Sequence, residues 1–164
     1  MAHDITAIVI ADPFDAEVAK TLDLVAVPLS WPLTLFHIDH YYTAYWGAVR
    51  GHTKQLDVPS EFPGEFPREG IVAQLVAELT GLPAARFAII QTEYFGGVGD
   101  QWACAFAGEH RKTHASATIN DALRTLGVVR QGGMDEFDTV GLGEHRSPPA
   151  YLHRYVDLCD ELGV

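Results

Sequence analysis

The chain has 164 residues, 48% of them hydrophobic, and a formal net charge of −11 from 22 acidic against 11 basic side chains. That length suits a single domain spanning residues 1–164 with a substantial core. The charge argues against nucleic-acid binding and against docking on anionic membranes, both of which rely on lysine and arginine, and leaves room for a basic protein partner.

Residues 5–11 are apolar on both faces of an extended chain and predict a first strand. Asp12 then reads as a helix cap with Pro13 in the first turn, where its missing N–H costs nothing. Phe14, Val18 and Leu22 form the stripe that this helix buries. A second strand is expected over residues 24–29, with Pro28 placing it at a sheet edge or marking its end. Ser30-Trp31-Pro32 turns the chain into a third strand, residues 33–39. An aromatic-rich helix follows over residues 40–50, with Tyr41, Tyr42, Tyr45 and Trp46, and Gly51 ends it.

Residues 52–67 form a long connection holding nearly the same tetrapeptide twice, Glu61-Phe62-Pro63-Gly64 and Glu65-Phe66-Pro67-Arg68. The prolines deny it a helix or a central strand. Its two phenylalanines either fold back on the core or stand exposed as anchors for a partner. The next helix, residues 69–80, carries a wide stripe of Ile71, Val72, Leu75, Val76 and Leu79, and Gly81 and Pro83 stop it.

The strongest local signal is residues 86–108, two strands joined by a glycine-rich turn. Phe87 and Ile89 alternate with Ala88 and Ile90, apolar on both faces as in a central strand. On the return, Trp102, Cys104 and Phe106 alternate with Ala103, Ala105 and Ala107, which predicts a helix lying close over the alanine side. Gly96, Gly97 and Gly99 supply a tight turn. A phosphate cradle is the competing reading, but it needs a helix or a lysine after the glycines, and here a strand and Asp100 follow. Functional interest in this hairpin narrows to its rim, from Glu93 to Asp100.

Past a polar connection, Thr118 and Asp121 form a capping box for a helix reaching Gly127. Residues 128–147 open with Val128-Val129, a candidate short strand, and then become glycine-rich and acidic. Ser147 and Pro148 begin a last helix with Tyr151, Leu152, Tyr155, Cys159 and Leu162 on its inner face. Paired strands between helices predict an α+β fold: a largely antiparallel sheet of about five strands with helices packed mainly on one face.

Cys104 and Cys159 are the only cysteines and lack CxxC spacing, so a reduced, cytoplasmic compartment is expected. The N-terminus has no basic region ahead of its apolar run, which predicts no signal peptide. No apolar run approaches the length of a membrane span, and no cofactor motif is present.

Two groups of residues are candidates for function. His37-Ile38-Asp39-His40 lies where a strand passes into a helix. His37 and His40 are possible ligands to a divalent metal, and either histidine is a possible base oriented by Asp39. Glu93 joins them as a fourth catalytic candidate if its strand neighbours that of His37. The structural counterpart is Asp39 as a helix cap and His37 as a core residue. His114-Ala115-Ser116 matches half of the paired HxS/T pattern of two-histidine phosphoesterases, but His37-Ile38-Asp39 lacks the hydroxyl of the other half. The second group is Asp135, Glu136, Phe137 and Asp138, an aromatic among carboxylates suited to a basic groove on a partner; Phe62 and Phe66 join it as candidate anchors. The expected function is a cytoplasmic protein-binding module of the immunity or inhibitor type, presenting an acidic surface to a basic partner. The alternative is a small hydrolase, with or without a metal, built on the histidines and carboxylates.

Overall fold

The computed structural model describes residues 2–52, 54–56, 59 and 61–164. Its strands are β1 (Ala2–His3), β2 (Thr6–Ile10), β3 (Val27–Pro28), β4 (Thr34–His37), β5 (Arg86–Phe95), β6 (Val98–Ala107) and β7 (His110–Arg111). They form one sheet in the order β3-β4-β2-β5-β6-β7, with β1 pairing the far end of β5. Every pairing is antiparallel. The helices are α1 (Ala16–Thr21), α2 (His40–Val49), α3 (Glu69–Thr80), α4 (Ile119–Thr125), α5 (Glu136–Thr139) and α6 (Arg154–Leu162). The α+β architecture is therefore as the sequence predicts.

The pleat explains the two cores. Ile8, Ile10, Phe36, Phe87, Ile89, Cys104 and Phe106 point to one face and pack with Leu22 and with Tyr42, Ile71, Leu75 and Tyr155 of α2, α3 and α6. Ala7, Val9, Leu35, Ala88, Ile90, Ala103 and Ala105 point to the other face and pack under Ile119, Ala122 and Leu123 of α4. The helix expected over the alanine side of the hairpin is thus α4. Small side chains on that face let it approach closely, while four helices crowd the opposite face.

The hairpin is the longest pairing in the sheet, from Arg86↔Ala107 to Phe95↔Val98. Its turn is only Gly96-Gly97, with φ of 62° and 80°, the two positive values that a type I′ turn requires. The strand resumes at Val98, so Gly99 and Asp100 belong to β6 and not to the turn. Glycine is needed at position 99 because a Cβ there would lie 1.8 Å from the Glu93 carbonyl oxygen.

Several boundaries differ from the expectation. Asp12 does not cap α1: its carboxylate accepts from the Arg86 N–H at 3.0 Å, pinning the start of β5, and Asp15 caps the helix instead, accepting from the N–H groups of Glu17 and Val18. The strand expected over 24–29 pairs only at Val27 and Pro28, on the sheet edge as proline demands. Val128 is buried without joining a strand. Within the glycine-rich, acidic segment, where no helix is expected, Glu136–Thr139 form α5, capped by Asp135. The last helix begins as a 3-10 turn, Ala150–His153, before α6, and Leu162 is exposed. Among the described residues no helix is long and apolar enough to cross a membrane.

Within the 52–67 connection, residues 53, 57, 58 and 60 lie outside the described residues. The doubled tetrapeptide makes two successive turns, closed by Phe62 N–H to Pro59 O and Phe66 N–H to Pro63 O. The rings of Phe62 and Phe66 meet edge to face at 4.8 Å. Phe66 is buried in the core under α2 and α3 and Phe62 packs half-buried against it. They cover the core, and the reading of them as exposed anchors is corrected on that burial.

Candidate functional site

The four histidine-site candidates do not converge. His37 ends β4, β2 lies between β4 and β5, and the strand of Glu93 is therefore not its neighbour. Alternation also sends the two side chains to opposite faces: His37 follows Leu35 toward the α4 side, and Glu93 follows Ile89 toward the α2 and α3 side. Asp39 caps α2, its carboxylate accepting from the Tyr42 N–H at 2.8 Å. Burial pushes the Asp39 carboxyl up, opposed by that hydrogen bond and by His40 and His153 nearby. The His40 ring lies against Tyr41 at 3.9 Å. Among the described residues no three His, Cys, Asp or Glu side chains are grouped to hold a metal ion, so His37 and His40 lack further protein ligands as a metal pair.

His37 itself is buried, and its Nδ1 has no hydrogen-bond partner among the described residues. Burial, with His145 close by, lowers its pKa to about 4. The unfolded chain therefore binds a proton at this position between about pH 6.5 and 4 where the folded chain does not. Stability from neutral His37 is fully present above that window and is lost as pH falls through it. Denaturant unfolding at pH 7 and pH 5 should show wild type losing more stability on acidification than His37→Gln. Equal losses would contradict this.

Neither cysteine is set up as a nucleophile. Cys104 and Cys159 are both buried. The Cys159 thiol donates to the Tyr41 carbonyl at 3.3 Å, and burial pushes its pKa up, away from thiolate.

The acidic segment is turned largely inward. Glu136 is buried and paired with Arg124 at 2.8 Å. Asp135 accepts from the Asp138 N–H and from Asn120 Nδ2. Phe137 leans against the His3 ring at 5.3 Å, and its N–H donates to Asn120 Oδ1. Only Asp138 of the four is exposed. The expected outward patch is thus corrected: Glu136 is withdrawn by its ion pair and Phe137 by packing.

Asp135, Phe137 and Asp138 instead wall a cleft of about 370 Å³ beside the hairpin, completed by His3, Thr92, Tyr94, Gln101 and Arg146. Several of its polar groups are bonded to one another, while the side chains of Asp138 and Arg146 at its mouth are exposed. His3 is held between Thr92 Oγ1 at 2.8 Å and the Leu142 carbonyl at 3.0 Å. The Ile5 N–H donates to the same Thr92 oxygen, and the Leu142 carbonyl, which can only accept, takes a proton from His3 Nε2. Gln101 donates to the Tyr94 hydroxyl and accepts from the Ile119 N–H at the start of α4. This wall braces the hairpin against α4 and α5.

Past that brace the hairpin tip stands exposed. On the face opposite the cleft, register pairs Gln91 with Trp102, Glu93 with Asp100 and Phe95 with Val98. Two carboxylates therefore sit directly across from each other, and Phe95 and Val98 beside them are 61% and 78% exposed. Like charges directly opposite in a ladder are destabilising, and large apolar side chains left mostly exposed at a strand end add little to the core. Neither feature serves the fold.

The sequence marks the rim from Glu93 to Asp100 without singling out Phe95 and Val98 within it. The signal was available: a two-glycine turn fixes the register, and the register sets 93 against 100 and 95 against 98. Comparison with protein-family models, with curated proteins and with solved structures finds no match.

Proposed function

We propose that the chain is a protein-binding module of the immunity or inhibitor type that recognises a basic partner through the tip of the β5-β6 hairpin. The observation that carries this reading is the exposed pair Glu93 and Asp100, in cross-strand register beside the exposed pair Phe95 and Val98. A lysine or arginine from a partner, placed between the two carboxylates, relieves their repulsion and gains charge-assisted hydrogen bonds. Phe95 and Val98 supply apolar contact at the same place, and Trp102 flanks the acids on the other side. The net charge of −11 adds long-range attraction for such a partner. Tip contacts fit recognition because the tip is braced from behind by Gln101, Tyr94 and the start of α4, so little ordering is left to be done on binding.

The test uses a photo-reactive amino acid in place of Val98 in cells of the source organism, with the same probe at Val49, which is 49% exposed on α2, as control. The expected result is one cross-linked protein of basic character from position 98 and none from position 49. Matching products from both positions, or none from either, would contradict the reading.

A further inference from the structure

The outer edge of β6 is open where it passes the tip. β5 pairs β6 along its whole length, but on the other side β7 reaches only Phe106 and Ala107. Beyond β7 the Ala105 carbonyl accepts from the Lys112 N–H at 2.7 Å, and the Ala105 N–H donates to Thr113 Oγ1 at 3.1 Å. Ala105 thus directs its main-chain groups away from β5, and the two-residue period of a strand turns those of Gly99 and Gln101 the same way. Both residues are exposed, and no strand among the described residues pairs with that side of 98–103.

Sheet edges are normally blunted by proline, lysine, bulges or brevity. The opposite edge, β3, is two residues long and contains Pro28. The β6 edge, Val98-Gly99-Asp100-Gln101-Trp102-Ala103, has one charged side chain and no proline. Asp100 deters acidic strands, a second copy of this chain included, because antiparallel self-pairing at the tip would bring Asp100 and Glu93 of two molecules of charge −11 together. It does not deter a basic strand.

We infer that the partner docks by strand addition: an extended segment with a lysine or arginine flanked at alternate positions by apolar residues pairs with the β6 edge at Gly99 and Gln101. The cation sits beside Asp100 and Glu93, and the flanking apolar residues lie beside Val98 and Trp102. This rests on the proposed function above and specifies its geometry. Main-chain pairing supplies affinity and the alternating side chains supply selectivity, the general logic of strand addition.

The probe is a short synthetic peptide alternating valine and threonine around a central lysine, titrated into the whole protein at low ionic strength with amide spectra recorded. Binding is expected to shift and protect the Gly99 and Gln101 amides. N-methylating the peptide at the residues facing those two should weaken binding by about tenfold, while N-methylation at the intervening residues changes it little, because each lost main-chain hydrogen bond removes roughly 0.5–1.5 kcal/mol. Equal tolerance of N-methylation at all positions, or no binding, would overturn strand addition. If equal tolerance is found and exchanging the lysine for glutamate still abolishes binding, the basic-partner reading survives without it. If that exchange changes nothing, the reading itself fails. Concentration-dependent protection of Gly99 and Gln101 in the protein alone would put a second copy on the edge and overturn the inference.

Discussion

Phe106→Ala is expected to lower the free energy of unfolding by about 3–5 kcal/mol, the range for truncating a large buried aromatic. Phe106 is 1% exposed and faces Phe87 across the hairpin, the two rings stacked with centroids 5.3 Å apart. They fill the centre of the sheet face that α1, α2, α3 and α6 cover. Removing one ring leaves a cavity between a rigid ladder and several helices, which cannot all collapse onto it. Against a typical total of about 5–15 kcal/mol, such a loss moves the protein toward the edge of stability. Phe106→Leu keeps most of the volume and should cost far less. Urea denaturation with an unchanged m value would establish the difference as one of stability. A loss below about 1 kcal/mol for the alanine variant would mean that the hairpin is not the packed centre of the sheet.

The second large effect goes in opposite directions for stability and for binding. Glu93→Gln combined with Asp100→Asn preserves shape and removes both charges from a directly opposed pair. Stability should rise by about 0.2–1 kcal/mol, the usual scale of a cross-strand pair. Affinity for the central-lysine peptide should fall by about tenfold or more at low ionic strength, since close charge pairs across interfaces couple by roughly 1.5–7 kcal/mol. The wild-type affinity should also fall as salt rises, and that dependence should flatten in the variant. A site kept for function at some expense of stability behaves this way. Two carboxylates placed only for solubility would give the stability gain with no change in peptide affinity.

How far the sequence could be read depended on whether local chemistry or distant contacts decided each element. The hairpin was legible because strict alternation and two adjacent glycines leave one register open. The α4 start was legible because its capping box is closed within four residues, by Thr118 and Asp121. Helix α1 was misplaced at its start because Asp12-Pro13 carries the local signature of a cap, yet the Arg86 N–H takes that carboxylate. The acidic segment departs from expectation for the same kind of reason. Its composition is that of a solvated loop, but Arg124 on α4 draws Glu136 inward, and Asn120 holds both Asp135 and Phe137. At the histidine site everything turned on sheet order. His37 and Glu93 are both strand-end residues, and only the insertion of β2 between their strands, with opposite pleat, separates them. Exposure at the tip was hidden because Phe95 and Val98 are apolar like the buried residues before them. What differs is that the helices end short of them.

The proposed interface requires that Glu93, Asp100, Phe95 and Val98 act together as a single contact surface. The most direct measurement repeats the photo-cross-linking from position 98 in a protein carrying Glu93→Lys and Asp100→Lys, its fold first checked by circular dichroism and thermal unfolding. The expected result is loss of the basic cross-linked partner while the protein remains folded. Undiminished cross-linking to the same partner would contradict the claim and separate the acidic pair from whatever the tip contacts.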